Sequence, residues 1–142
     1  MAEVKWSEIE HFDKEEWVDD PSKAAPELVQ LADDIREYVG HPMHIHVCWA
    51  EDGHTDESYH YTGQAVDVHF DGVDAMLWLY LVLANFKEIG GLGFYPEWKP
   101  KPGWHIDIRR RDRRLVWTYR NGAYHYGEDK VKKALSDYML SG

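Results

Sequence analysis

His60 and Asp67 stand seven positions apart with Tyr61-Thr62-Gly63 between them, and a second histidine follows in Trp104-His105-Ile106-Asp107. Two neutral imidazole nitrogens and one carboxylate oxygen, brought together with one position left open, are the ligand set of a catalytic zinc site. Gly63 lets the chain curl between the first two, either through a positive φ or through a close backbone approach. The same residues also suit a carboxylate that hydrogen-bonds a core histidine. With nine histidines in 142 residues, chance pairs are common, so spacing alone leaves both readings open.

The elements that must position these residues can be read from periodicity. Ala65-Val66-Asp67-Val68-His69-Phe70 alternates, which puts Asp67 and His69 on one face of a strand and Val66, Val68 and Phe70 on the other. The strand Trp104 to Ile108 likewise puts His105 and Asp107 on one face, and His105 is expected from a strand beside the one carrying Asp67. Upstream, Met43 to Trp49 alternates as well, with His44, His46 and Cys48 on one face. Those two histidines read as ordinary strand occupants, because no third ligand stands near them.

Around the strands, Asp20-Pro21-Ser22 marks a helix start, Leu28, Leu31, Ile35 and Val39 recur at helical spacing, and Gly40 with Pro42 closes the helix. Val73 to Phe86 reads as a helix that is apolar nearly all round. Gly90 to Pro96 is a glycine-rich turn into a short strand, and Glu97 to Gly103 a loop. Leu115 to Tyr119, Asn121-Gly122 and Ala123 to Tyr126 form a hairpin on a type I′ turn, and Glu128 to Leu140 closes the chain as an amphipathic helix. The predicted class is α+β, a mostly antiparallel sheet flanked by helices, in a single domain over residues 1–142. Residues 1–20 are expected to form an irregular arm or short helix over the core, anchored by Trp6, Phe12 and Trp17.

Composition narrows the partners. A formal net charge of −10 argues against nucleic acid, whose phosphates call for a basic surface. The basic cluster Arg109-Arg110-Arg111-Asp112-Arg113-Arg114 is expected to be mostly solvated, with a grip on a substrate carboxylate as the alternative. The longest apolar run, Ala75 to Ala84, is too short to span a bilayer. No basic start followed by an apolar block marks a signal peptide, and Cys48 is the single cysteine, so a cytoplasmic location is expected, with release by another route as the alternative. Seven tryptophans and nine tyrosines suit either a groove for an extended polar ligand or an aromatic core.

Ser58-x-His60-x-x-Gly63-x-Ala65-x-Asp67 resembles the Ser-x-His-x-x-Gly-x-Ala-x-Asp motif of the zinc D-alanyl-D-alanine carboxypeptidase and dipeptidase family. Gly90-Gly91-Leu92-Gly93-Phe94-Tyr95-Pro96 with His105-Ile106-Asp107 is similar to further elements of its bacterial members. The loop from Trp49 to Asp67 is similar to the amino-terminal signalling domain of hedgehog proteins, which shares that fold and zinc site; the resemblance covers residues 43–109. It implies a hedgehog/DD-peptidase-like fold, a Zn2+ cofactor held by His60, Asp67 and His105, and hydrolysis of a small peptide, such as a peptidoglycan stem peptide. It also implies roles for Glu97 as general base and for His54 as oxyanion donor, while Asp107 either orients a ligand histidine from behind or is an exposed strand carboxylate.

Two positions depart from the peptidase pattern. Pro102 stands where many members carry the catalytic glutamate, and Trp49 and Ala50 stand where many carry an arginine, so D-Ala-D-Ala specificity does not follow. Val47 and Ala50 occupy two hedgehog calcium-ligand positions, so calcium is not carried over. The alternative function is a non-catalytic, zinc-containing binding module of the hedgehog type. The oligomeric state is not indicated.

Overall fold

The computed structural model describes residues 4–17, 20–47, 49–50, 58–70, 85–99, 102–110 and 113–141. Cys48, the polar loop 51–57 with His54, and residues 73–84 of the expected helix lie outside the described residues. Among the described residues, eight α-helices and strands follow in order: α1 (Pro26–Val39), β1 (Met43–Val47), β2 (Ala65–Phe70), β3 (Gly91–Tyr95), β4 (Gly103–Asp107), β5 (Leu115–Arg120), β6 (Ala123–Tyr126) and α2 (Glu128–Ser141). The strands form one sheet in the order β1-β2-β4-β3-β5-β6, antiparallel throughout except for the parallel pair β3–β5. This is the predicted α+β arrangement with a mostly antiparallel sheet.

Alternation along the strands assigns the two faces. Val66 and Val68 of β2, Leu92 and Phe94 of β3, Trp104 and Ile106 of β4 and Val116 of β5 join one buried apolar cluster. Leu28, Val29 and Ile35 of α1 and Val131, Ala134 and Leu135 of α2 pack into the same cluster. Each of the larger side chains in that cluster contributes about 1.5–3 kcal/mol by leaving water. The other face of the same strands carries the polar residues, so burial of the first face fixes where the second one points.

Three local expectations need correction. Asp20 does accept a hydrogen bond from the Ser22 amide at 3.1 Å, but it caps a separate 3-10 turn, Pro21–Lys23, and α1 begins only at Pro26. Proline suits the first turn of a helix, and it drives the residue before it out of the helical region, so no helix runs from Asp20 through Ala25. Ala25 is extended accordingly, at φ −68° and ψ 135°. Second, the glycine-rich segment is strand rather than turn from Gly91 onward. Third, β1 ends at Val47, and its pairing shifts between Ile45 and Val47, which interrupts the strict alternation expected to Trp49.

Other signals match. Gly40 closes α1 in the left-handed region at φ 74°, its amide bonded to the Arg36 carbonyl at 2.9 Å. Asn121 and Gly122 both have positive φ, 53° and 78°, as a type I′ hairpin turn requires. In the arm, Phe12 and Trp17 are buried, while Trp6 packs partly against the core.

Candidate metal centre

His60 sits in a 3-10 turn, Tyr59–Thr62, whose first amides are capped from Ser58: the Ser58 Oγ accepts from the His60 amide at 3.3 Å. Gly63 ends that turn at φ 70°, and its carbonyl accepts the Ala25 amide at 2.9 Å. A Cβ on Gly63 would also run into the Lys23 carbonyl, so the residue is required both for its φ and for the close approach. From the other side the Ala50 amide donates to the His60 carbonyl at 3.1 Å. The turn carrying His60 is thus tied to the start of α1 and to the chain leaving β1.

Asp67 and His105 are direct register partners on β2 and β4. All three candidate ligands are buried, with His60 at 2%, Asp67 at 6% and His105 at 7% exposure. Asp67 Oδ1 lies 3.1 Å from His60 Nε2 and 3.1 Å from His105 Nδ1, and one ligand atom from each residue lies within 4.8 Å of the others. Ligands about 2.0–2.2 Å from a tetrahedral ion stand about 3.3 Å apart, close to the two 3.1 Å separations from Asp67. The buried His60-Asp67-His105 group is suited to hold a metal ion.

Behind His105 stands Asp107, where the alternation placed it, and the structure adds Arg109, which spacing did not single out. His105 Nε2 donates to Asp107 Oδ2 at 2.7 Å, which leaves Nδ1 to face Asp67. Asp107 is fully buried and also accepts from Arg109, through the amide at 3.1 Å, Nε at 2.8 Å and Nη2 at 2.5 Å. Arg109 in turn lies over the Tyr59 ring at 4.6 Å and the Trp117 ring at 5.3 Å. The basic cluster is therefore not simply solvated: Arg109 grips the chain's own Asp107, and Arg114 donates to the Ile89 and Phe86 carbonyls at 2.8 and 2.5 Å. Extending the alternation from His105 through Asp107 to Arg109 would have signalled the first of these.

Gly91 and Gly93 make the room for this arrangement. Gly93 pairs with His105 on one side and Trp117 on the other, so the indole passes over the bare glycine and meets the His105 ring at 5.2 Å. A Cβ at Gly93 would overlap the indole, and one at Gly91 would overlap the Asp107 carboxylate. Trp117 Nε1 donates to the Tyr95 hydroxyl at 3.0 Å, which fixes the indole from its far side. Burial pushes the Tyr95 phenol well above its ordinary range.

The charges follow from burial and bonding. Burial raises the Asp67 carboxyl, but hydrogen bonds from His105 and His60 outweigh it and bring it to about 2. Burial likewise raises Asp107, and bonds from His105 and Arg109 lower it to about 2. Burial opposes charge on His105, yet bonds to Asp107 and Asp67 raise it to about 9. Without a metal, His105 is thus a cation held between two carboxylates, and an ion held by His60, Asp67 and His105 would compete with its proton.

Glu97 is not among these ligand atoms. It is exposed on the segment after β3, and its Oε1 accepts from the Asn121 amide at 2.9 Å, at the β5–β6 turn. His54 lies outside the described residues. His44, His46 and His69 gather on β1 and β2, with His46 Nε2 against His69 Nδ1 and the His44 ring stacked on His69 at 4.6 Å. They form no three-ligand group among the described residues.

Comparison with family models, curated proteins and solved structures gives no match. Among the described residues no helix is long and apolar enough to cross a membrane.

Proposed function

We propose that this protein is a zinc-dependent metallopeptidase that hydrolyses a small peptide, with a peptidoglycan stem peptide as the candidate substrate. The observation that carries the reading is the buried triangle of His60 Nε2, Asp67 Oδ1 and His105 Nδ1, all within 4.8 Å, with Nδ1 turned to it by the Asp107 bond. The resemblance of the segments around it to zinc peptidases supports the same choice. Zinc bound there supplies Lewis acidity, activating a water and polarising a carbonyl at neutral pH.

The chain's own groups then have separate tasks. His60, Asp67 and His105 hold the ion, and Asp107 holds the His105 ring in the required tautomer. Trp117 covers one side of His105 and excludes water from it. Glu97 is assigned the proton transfer from the attacking water to the leaving amine, a role that would require it to leave the Asn121 amide it accepts from in this structure. His54 is assigned the hydrogen bond to the developing oxyanion.

The bond between Glu97 and Asn121 favours a second reading, a zinc-containing binding module without turnover, in which Glu97 serves only to brace the hairpin. One variant separates the two. On the peptidase reading Glu97→Gln keeps its zinc and loses peptide hydrolysis. If the zinc-loaded wild type cleaves no peptide in a broad panel that includes D-amino-acid stem peptides, the module reading stands. If zinc is not bound at all, both fall.

A further inference from the structure

The row of residues that crosses the sheet at the metal centre continues past it to the sheet edge. His105 of β4 pairs with Gly93 of β3, Gly93 with Trp117 of β5, and Trp117 with Tyr126 of β6. Register partners share a face, so Tyr126 stands on the face that carries His105 and Asp67. Two residues along the strands, Tyr95, Tyr119 and Tyr124 share that face, with Tyr119 and Tyr124 paired.

These rings form one strip. Trp98 stacks on Tyr95 with centroids 4.3 Å apart, and Tyr95 on Tyr119 at 6.0 Å. Tyr119 meets Tyr124 edge-on at 4.7 Å, and Tyr124 stacks with Tyr126 at 6.3 Å. Trp117 Nε1 donates to the Tyr95 hydroxyl, which donates in turn to that of Tyr124, so Tyr124 keeps its own hydrogen for a ligand. Tyr124 and Tyr126 are 44% and 58% exposed, on the strand that ends the sheet among the described residues.

Distance selects the ligand. Neighbouring strands lie about 4.8 Å apart, so β6 stands about 14 Å from β4, three strand spacings away. An extended peptide gains about 3.3–3.6 Å per residue, so one seated at the metal reaches the end of the strip after about four residues. A dipeptide falls short of it. A stem peptide hangs from a sugar, and a chain of that length brings the sugar onto Tyr124 and Tyr126. A pyranose presents C–H groups on its faces and hydroxyls at its rim, and tyrosine offers a negative ring face and a hydroxyl tip to match. The strip's residues are uncharged, and the chain's net charge of −10 does not suit a polyanion.

We propose that Tyr124 and Tyr126, backed by Tyr119 and Tyr95, form a glycan subsite that seats the sugar from which the peptide at the metal hangs. The placement of the peptide rests on the peptidase reading; the contact with the sugar needs no turnover.

Calorimetric titration of the zinc-loaded chain with tri-N-acetylchitotriose, a sugar with no peptide bond to cut, tests it. Wild type is expected to bind the trisaccharide, and Tyr124→Ala/Tyr126→Ala to bind it about tenfold more weakly or not at all. Tyr38→Ala, at an exposed tyrosine of α1, is expected to bind as wild type does. Circular dichroism checks that the double variant folds; if it does not, Tyr126→Ser, at the more exposed ring, carries the test. The subsite is overturned if wild type does not bind the trisaccharide, or if the variant binds it equally well. It is also overturned if a sugar-free stem peptide loses as much affinity in the double variant as the glycopeptide does, which makes the strip a peptide subsite. A wild-type dimer that the double substitution dissociates overturns it as well, by making the strip a self-contact. Failure of wild type to cleave any stem peptide would sink the peptidase reading and leave the trisaccharide site standing.

Discussion

Asp107→Asn is the substitution that tests whether the site is built from behind. Asp107 has no exposed surface and accepts four hydrogen bonds, one from His105 and three from Arg109. An asparagine of the same shape keeps one acceptor oxygen but turns an NH2 toward either the His105 or the Arg109 donors. It also leaves the partly buried Arg109 guanidinium without its counter-charge. Holding the carboxyl at about 2 instead of 3.8 is itself worth about 2 kcal/mol in the fold at neutral pH. Breaking a buried pair by removing one partner costs about 3–5 kcal/mol. Taking about 3 kcal/mol, the metal-free variant is expected to melt about 10 °C below wild type. Zinc affinity is expected to fall about 10–100-fold, because the His105 tautomer and ring orientation lose their support. Chemical denaturation of the chelated protein and competition with a zinc indicator measure the two effects. Restoring part of the stability in Asp107→Asn/Arg109→Gln would show that the stranded guanidinium carries much of the cost. A variant with wild-type zinc affinity and unchanged Tm would refute the argument that Asp107 orients His105.

Two further outcomes follow from the same geometry. Gly93→Ala is expected to cost about 1–3 kcal/mol, because its Cβ must displace the Trp117 indole from its place beside His105; denaturation midpoints and Trp fluorescence report it. For pH, the signs of the metal-free centre differ at the two ends. The raised His105 contributes stability that is fully present below its ordinary 6.5 and is lost as pH rises through about 9, whereas the depressed Asp67 and Asp107 contribute stability that is present above 3.8 and lost as pH falls through about 2. The Tm of chelated protein should therefore fall between pH 6.5 and 9, and His105→Gln should flatten that limb; a wild-type limb of equal slope in His105→Gln contradicts the assignment.

Much of this centre was legible before any folding was known, and the reasons are local. Alternation in Val66-Asp67-Val68 and Trp104-His105-Ile106 told which residues share a face, since a strand's side chains change sides at every step. Gly63 announced a turn that only glycine makes, and Asn121-Gly122 a hairpin whose twist only such residues allow. Strand order is not local. That β4 lies between β2 and β3, and β5 runs parallel beyond β3, is decided by long-range pairing, and it alone brings Trp117 across Gly93 to His105. The same holds for Arg109, whose charge read as a solvated cluster until the sheet buried Asp107 within its reach. Glu97 could be matched to a catalytic position by its neighbours in sequence, but its bond to Asn121 depends on where two loops meet. Local patterns determined the candidate ligands and their faces; the packing of distant segments decided what surrounds them.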